Sequence, residues 1–339
     1  MQKFISATEV AEKWNLSIRR VQIFCNEGRI PGAYKQSGVW LIPANATKPE
    51  KIKSGVKTET PKKSIKVVSL FSGCGGMDLG FEGGFPVLKV SVNKNINKDW
   101  KVRSIDKNWV RLPRTRFQTV FANDIRPDAK TAWINYFGKR GTPDSSYYLD
   151  SIVDLVKLYK ENKVNVFPTG IDVVTGGFPC QDFSVAGKRQ GFNSSKSHNG
   201  KEITDEPSVE SRGQLYMWMR EVISIVKPKV FVAENVKGLT NLADVKEIIE
   251  HDFSTVCDGG YIVIPARVLL AAEYGVPQSR ERVIFLGFRK SALTDEALTA
   301  LSQKVIPAEY DPYPVKTHSN QPSGELLPFV TTKQCFLGL

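Results

Sequence analysis

One cysteine directly follows an apolar segment and is flanked by residues that restrict its backbone. The segment is Ile171-Asp172-Val173-Val174-Thr175-Gly176-Gly177, and it leads into Phe178-Pro179-Cys180-Gln181. Loops at the ends of strands in open α/β sheets form the functional crevice, so we predict that Cys180 is a reactive thiol presented to a ligand. The alternative is a buried structural cysteine, because free cysteine is among the residue types most often buried.

A glycine-rich turn lies upstream of this cysteine. The apolar segment Ile65-Lys66-Val67-Val68-Ser69-Leu70 is followed by Phe71-Ser72-Gly73-Cys74-Gly75-Gly76 and then by a predicted helix. This order is typical of a nucleotide-binding βα unit, in which glycines let the backbone approach a ligand. The spacing differs from G-x-G-x-x-G and no Gly-Lys-Ser/Thr follows, which disfavours dinucleotides and nucleoside triphosphates. A smaller cofactor that carries adenosine fits better.

Three acidic residues are predicted at the ends of further strands: Asp124, Asp150 and Glu234. A carboxylate at the end of the second strand of such a unit accepts hydrogen bonds from ribose hydroxyls, which suits Asp124. Either aspartate taken alone is explained equally well as a helix N-cap.

A basic segment precedes the predicted strand Val283-Ile284-Phe285-Leu286-Gly287-Phe288. In this segment Gln278, Arg280 and Arg282 alternate, so an extended chain would direct them to one side. Such a charged stretch is also typical of a solvated strand edge.

Taken in order, these motifs resemble those of the DNA (cytosine-5) methyltransferases. The resemblance is carried by Phe71-Ser72-Gly73-x-Gly75-Gly76, Gly177-Phe178-Pro179-Cys180-Gln181-x-Phe183-Ser184, Glu234-Asn235-Val236 and Gln278-x-Arg280-x-Arg282, and it extends from about Lys66 to the C-terminus. It implies an α/β fold, namely the Rossmann-like sheet of AdoMet-dependent methyltransferases with helices on both faces. It also implies transfer of a methyl group from S-adenosylmethionine to C5 of a cytosine in duplex DNA, as the modification arm of a bacterial restriction-modification system.

The resemblance assigns catalytic roles to four of these residues. Cys180 would add as a thiolate to C6 of the cytosine, and Glu234 would donate a hydrogen bond to N3. Arg282 would hold O2 of the base, with Arg280 supporting the site. Because these atoms are inaccessible in stacked DNA, the target base must be flipped out. Ser184 and Gln278 are expected to contact DNA, and residues 184–211 are expected to close over the base, with a disordered insertion as the alternative for the middle of this loop.

The same resemblance assigns the cofactor site. Phe71, Gly73, Gly75 and Pro179 would line the methionine and sulfonium of S-adenosylmethionine. Asp124 would bind the ribose, and Asp150 the adenine. Relatives usually carry glutamate followed by an aromatic residue at the ribose position, whereas this chain has Asp124-Ile125.

Composition favours a polyanionic partner. The 339 residues carry a formal net charge of +12, which suits phosphate contacts. Five cysteines without paired spacing and three histidines predict no disulfide framework and no metal site. No apolar stretch is long enough to span a membrane, and no signal peptide is evident, so we expect a cytoplasmic protein.

We predict three regions along the chain. Residues 1–44 resemble excisionase-like or MerR-like winged helix-turn-helix domains: Ser6-x-x-Glu9 is a capping box for a first helix, Ser17 caps a second, and a hairpin follows. Arg19 and Arg20 lie in the first turn of the second helix, where recognition residues usually lie; a protein-docking helical pair is the alternative. Residues 45–64 form a basic flexible linker, and residues 65–339 the catalytic domain.

Two other features bear on partners. Residues 89–116 are rich in lysine and arginine interleaved with Trp100 and Trp109, which suits contact with the DNA backbone, although charge runs are more often solvated faces.

Members of the family normally continue into a target-recognition region. We therefore expect either a second polypeptide that supplies it or a truncated fragment. The alternative functions are an inactive DNA-binding regulator and an RNA cytosine-5 methyltransferase.

Overall fold

The computed structural model describes the chain except residues 1–3, 27–29, 37–38, 50–63, 163, 180–214, 242–243 and 337–339. The chain forms two compact units, Met1–Thr60 and Pro61–Leu339.

The first unit contains two helices and a small antiparallel sheet. Its elements are β1 (Phe4–Ser6), α1 (Ala7–Trp14), α2 (Ile18–Asn26), β2 (Tyr34–Gln36) and β3 (Val39–Pro43), and the strand order is β1-β3-β2. The predicted hairpin of β2 and β3 is confirmed, whereas β1, which pairs with β3, was not predicted. Strand β1 has only three residues and its last residue, Ser6, is also the cap of α1, so the sequence gave no strand pattern to detect.

The caps of both helices form as predicted. Ser6 and Glu9 make a reciprocal capping box, and Ser17 Oγ accepts a hydrogen bond from the Arg20 amide at 3.3 Å. Trp14 packs in the unit's core, and its carbonyl accepts a hydrogen bond from Lys48 Nζ at 2.8 Å. Contacts of the first unit therefore continue past residue 44.

The second unit has a central sheet of seven strands. The strands of the whole unit are β4 (Ile65–Leu70), β5 (Pro86–Leu88), β6 (Arg103–Ser104), β7 (Trp109–Arg111), β8 (Phe117–Asn123), β9 (Tyr147–Tyr148), β10 (Val173–Gly176), β11 (Val230–Val236), β12 (Tyr261–Leu270), β13 (Glu281–Arg289), β14 (His318–Ser319) and β15 (Leu327–Pro328). The central sheet has the order β12-β13-β11-β10-β4-β8-β9. The pairings from β11 to β9 are parallel, and β13 pairs antiparallel with both β11 and β12.

Helices cover both faces of this sheet. The helices of the second unit are α3 (Gly76–Glu82), α4 (Pro127–Phe137), α5 (Ile152–Asn162), α6 (Leu215–Val226), α7 (Val245–Ser254), α8 (Asp295–Leu301) and α9 (Thr332–Phe336), and α9 is largely exposed. Successive side chains of a strand point to opposite faces, and β8 shows both environments. Phe121 packs in the large core with residues of α5, α6 and α7, whereas Ala122 packs with Trp133 and Phe137 of α4. The α/β fold is as predicted.

Residues between α3 and β8 form an additional small sheet. Strands β5, β7 and β6 are antiparallel and follow this order. Two of these strands, β6 and β7, lie in the basic stretch of residues 89–116, for which the sequence predicted no secondary structure.

A carboxyl group is buried beneath the glycine-rich turn. Asp78 is 1% exposed, and its Oδ2 accepts a hydrogen bond from Trp133 Nε1 at 2.7 Å. Its Oδ1 has no hydrogen-bond partner among the described residues. Burial disfavours the charged carboxylate and raises the pKa of Asp78 to about 6.

The pH dependence of stability tests this burial. Because the pKa of Asp78 is higher in the folded state, the folded protein binds a proton that the unfolded chain has released, and the free energy of unfolding falls as pH rises from 3.8 through about 6. A shift of this size corresponds to about 3 kcal/mol. We expect Asp78→Asn to have a shallower pH dependence than the wild type in urea unfolding at several pH values between about 5 and 7. Parallel curves for the two proteins would contradict this prediction.

Candidate active site

Several predicted site residues meet at one edge of the central sheet. Strands β8 and β10 flank β4 on opposite sides and run parallel to it, so a crevice opens at their carboxyl ends. Phe71 directly follows β4, Asp124 follows β8, and Pro179 lies three residues beyond β10. Asp150 lies two residues beyond β9 and is exposed.

The turn after β4 depends on glycine at one position in particular. Gly75 has φ 88° and is the N-cap of α3. A methyl group at Gly75 would lie 2.5 Å from Phe137 Cε2 and 2.7 Å from Trp133 Cδ1. The turn therefore packs directly on the aromatic side chains of α4. Gly73 has φ 52° and open space where a Cβ would be, so its backbone is accessible to a ligand.

The Asp124 carboxylate ties the turn to β8. Its Oδ2 accepts a hydrogen bond from the Gly73 amide at 2.9 Å, and its Oδ1 accepts one from the Arg126 amide at 3.1 Å. Tyr147 Oη donates to the Gly73 carbonyl at 3.0 Å, a contact that sequence reasoning missed. The neighbouring Ile125 is 46% exposed. A fixed carboxylate with remaining acceptor capacity thus lies beside an exposed apolar side chain.

Glu234 lies next to both predicted arginines. Its Oε1 is 2.8 Å from Arg282 Nε and 3.3 Å from Arg280 Nη2. The Glu234 side chain is 21% exposed and that of Arg282 is 26% exposed, so this ion pair is partly shielded from water. A methyl group on Gly177 would lie 3.1 Å from Glu234 Oε2. The acid–arginine cluster therefore faces the loop that leads to Cys180.

Two details of this region differ from the sequence-based expectation. Strand β11 continues through Glu234 to Val236, because β13 pairs with it as far as Val236 and Arg282. The extended chain of β13 begins only at Glu281. Before it, the Gln278 amide bonds the Val276 carbonyl at 2.7 Å, which bends the chain, so the predicted alternation was wrong for Gln278.

A buried amide also supports the loop after β10. Asn235 is 1% exposed, and its Nδ2 donates to the Phe178 carbonyl at 3.4 Å. The motif Glu234-Asn235-Val236 contains this residue, but the sequence analysis assigned it no role. Its place in the motif was the one signal that could have indicated a function.

Other predicted residues cannot be placed in this cluster. Cys180, Ser184 and the loop of residues 184–211 lie outside the described residues, as does the side chain of Arg19. Arg20 belongs to the first unit, where it is exposed and its guanidinium lies 4.9 Å from the centre of the Phe24 ring.

The described part of the chain contains no group of three or more His, Cys, Asp and Glu side chains that could hold a metal ion. Within the same residues, no helix is long and apolar enough to cross a membrane.

Comparison with known proteins identifies the family of the second unit. The family described as C-5 cytosine-specific DNA methylase matches residues 65–327. The chain therefore belongs to the C-5 cytosine-specific DNA methylase family.

Individual relatives cover most of this chain. The Type II methyltransferase M.BspRI of Lysinibacillus sphaericus is 33% identical over 272 residues, which is 80% of this chain and 51% of the relative. The Type II methyltransferase M.NgoFVII of Neisseria gonorrhoeae is 30% identical over 269 residues, which is 79% of this chain and 52% of the relative. The chain thus spans about half the length of these curated relatives. Among solved structures, the S. pombe Dnmt2 methyltransferase matches with a TM-score of 0.38 and 17% identity, over 72% of this chain and 58% of that chain.

The close packing of Gly75 yields a test with a matched control. Gly75→Ala should lower the free energy of unfolding by about 2–4 kcal/mol, because the methyl group meets two aromatic rings and the backbone is left-handed. Gly76→Ala should be neutral or stabilising by up to about 1 kcal/mol, because Gly76 begins α3 and has open space around its Cβ position. Urea unfolding measures both values. Equal effects of the two substitutions would contradict the proposed packing.

Proposed function

We propose that this chain is the catalytic part of a DNA (cytosine-5-)-methyltransferase of a restriction-modification system. The observation that carries the proposal is the cluster of Glu234, Arg280 and Arg282 beside Gly177, at the crevice edge of a sheet with a glycine turn and a fixed Asp124. These groups match the two halves of the reaction, which are binding of a cofactor and activation of a pyrimidine.

Cys180 is proposed as the nucleophile. Its thiolate sulfur forms a bond to C6 of the cytosine. The electrons of the C5–C6 double bond shift away from C6, and the resulting enamine is nucleophilic at C5. Once C5 is methylated, water or a hydroxide ion accepts the C5 proton, the C–H electron pair re-forms the C5–C6 double bond, and the S–C6 bond breaks with its electrons on sulfur. Cys180 is thereby regenerated as a thiolate.

Glu234 is proposed to activate the ring. In its protonated form, the carboxyl group donates a hydrogen bond to N3, which stabilises the negative charge that develops in the ring when Cys180 adds. Arg282 and Arg280 hold the Glu234 side chain at its Oε1, which leaves Oε2 directed toward the loop of Gly177. The same cations favour negative charge on a base and on a nearby thiolate.

The crevice fits S-adenosylmethionine, which supplies a methyl group on a sulfonium ion. Gly73 offers accessible backbone, and Phe71 and Pro179 are partly exposed beside it. Asp124 keeps acceptor capacity for ribose hydroxyls after binding two amides, and exposed Ile125 offers an apolar surface where relatives usually carry an aromatic residue. Asp150 is proposed to bind the adenine amino group.

Duplex DNA is the proposed substrate, with the target cytosine flipped into the crevice. Ser184 and Gln278 are proposed to contact the DNA near the flipped nucleotide. In the first unit, α1 and α2 are proposed as a helix-turn-helix in which Arg19 and Arg20 contact DNA. The following experiments distinguish this proposal from two alternatives, an enzyme that acts on RNA and an inactive DNA-binding regulator.

Removal of the nucleophile tests the chemistry. Cys180→Ala should abolish transfer of labelled methyl groups from S-adenosylmethionine to mixed-sequence duplex DNA, whereas Cys257→Ala should retain transfer because Cys257 packs at the edge of the large core. DNA that contains 5-fluorocytosine should remain covalently bound to the wild type under denaturing conditions, because fluorine cannot leave as a cation. The Cys180→Ala variant should form no such adduct.

This assay is run with the chain alone and with the polypeptide encoded immediately downstream, because target recognition by a second polypeptide stays a prediction. Transfer by Cys180→Ala at the wild-type rate would refute the mechanism. Transfer to RNA but not to DNA would refute DNA as the substrate. Absence of transfer both by the chain alone and by the mixture would favour the inactive DNA-binding regulator.

The acid in the arginine cluster provides a second test. Glu234→Gln should lower the rate of methyl transfer by about 100-fold or more, because an amide cannot supply a proton to N3. Glu281→Gln is the matched control: Glu281 directly precedes Arg282 at the start of β13 and also binds a cation, Lys237, at 2.8 Å. We expect the control to retain activity within a few-fold. Equal losses in the two variants, with equal stability in urea, would remove Glu234 from the mechanism.

A further inference from the structure

The insertion between α3 and β8 carries an unusual share of the protein's charge. Residues 89–116 contain nine lysines and arginines and only two aspartates, in a chain whose total formal charge is +12. The proposed mechanism uses none of them. A single-sign surface of this kind attracts polyanions and raises their local concentration.

Seven of the nine cationic side chains of the insertion are available to a ligand. Within the described part of the chain, no ion pair is formed by the exposed residues Lys89, Lys94, Lys98, Lys101, Arg103, Lys107 and Arg114. Trp100 lies among them and is 44% exposed. Cations interleaved with an exposed aromatic side chain are typical of nucleic-acid surfaces, whereas a merely solvated face needs no exposed tryptophan.

The insertion is fastened next to the candidate active site. Asn93, which is 1% exposed, donates from Nδ2 to the Thr317 carbonyl at 2.9 Å and to the Glu325 carbonyl at 2.6 Å. The buried ring of His318 hydrogen-bonds through Nε2 to the Val90 carbonyl at 2.9 Å. These buried polar contacts hold the start of the insertion in one place, because breaking them would leave buried groups unpaired.

The segment before the catalytic arginines completes this contact. Gly275, with φ 80°, packs so closely that a methyl group there would collide with the Ser91 carbonyl oxygen. Trp100 and Trp109 of the insertion line a cleft of about 390 Å³ together with Tyr274 and Pro277. Since Pro277 directly precedes Gln278, the insertion flanks the side of the crevice where Gln278 is proposed to meet DNA.

We propose that residues 89–116 form an accessory surface that binds the phosphate backbone of duplex DNA beside the flipped nucleotide. The inference rests on the proposed function in that DNA occupies the crevice. Duplex DNA carries one negative charge per about 1.7 Å of its axis, so a strand that reaches the crevice presents several phosphates to the flanking surface. Contacts of this type add affinity and orientation but carry no direct sequence information.

Binding of DNA as a function of salt tests the proposal without requiring catalysis. Fluorescence anisotropy of a labelled mixed-sequence duplex gives the dissociation constant of the full chain between about 50 and 200 mM salt. The test variant combines Lys94→Gln, Lys98→Gln and Lys101→Gln. The matched control combines Lys227→Gln, Lys290→Gln and Lys304→Gln, three exposed lysines outside the insertion. All six side chains are exposed, so the substitutions should leave folding intact, which circular dichroism verifies.

The expected result is a weaker salt dependence of DNA binding in the test variant only. Each phosphate contact contributes about 0.9 to the slope of log K against log salt, so the magnitude of the slope should fall by about 2–3. Equal slopes for the wild type and the test variant, an equal fall in the control, or absence of DNA binding by the wild type would overturn the proposal. A larger effect of the test substitutions on duplex RNA than on duplex DNA would overturn the assignment to DNA. Insertion-dependent DNA binding without methyl transfer would leave this inference standing while the proposed function fails.

Discussion

The ion cluster of Glu234 with Arg282 and Arg280 is the interaction on which the crevice depends. It joins β11 to the start of β13 across the antiparallel pairing at the crevice edge of the sheet. Moving a carboxylate and a guanidinium out of water is costly, and only close, well-oriented contacts offset that cost. The partial exposure of these side chains keeps the desolvation modest and leaves one carboxylate oxygen facing the loop after β10.

The glycine-turn side of the crevice, which is the proposed cofactor site, is built on a different principle. There, backbone geometry does most of the positioning, because Gly75 packs against the rings of Trp133 and Phe137 where any side chain would collide. The Asp124 carboxylate then fixes the turn by accepting the Gly73 amide. Beneath the turn, the buried Asp78 is held by Trp133 at a cost in desolvation. A rigid turn of this kind orders its backbone before a ligand arrives, which reduces the entropy lost on binding.

The insertion of residues 89–116 extends the same edge of the fold. Its charge alone would be compatible with a solvated loop, but buried contacts of Asn93 and His318 give it a defined place beside the arginine-bearing segment. Electrostatic attraction between exposed charges acts over about 8 Å at physiological salt, so these cations influence the segments of a polyanion that pass close to the insertion. Separate sets of contacts therefore position the arginine cluster and the basic insertion.

Local sequence determined the elements and the chemical types at their ends. The apolar segments that became β4, β10 and β13, the glycine turn, and the caps at Ser6 and Ser17 follow from period, propensity and capping rules, which act over a few residues. The ordered motifs were sufficient to indicate the family that the comparison of residues 65–327 then established.

Tertiary structure alone decided which of these residues meet. The contact of Glu234 with Arg282 depends on the register of β11 and β13, and the burial of Asp78 depends on where α4 packs. The bend at Gln278 and the small sheet within the basic insertion were also absent from the sequence pattern. Pairing and burial are set by residues far apart in the chain, whose proximity depends on strand order and packing rather than on any local period.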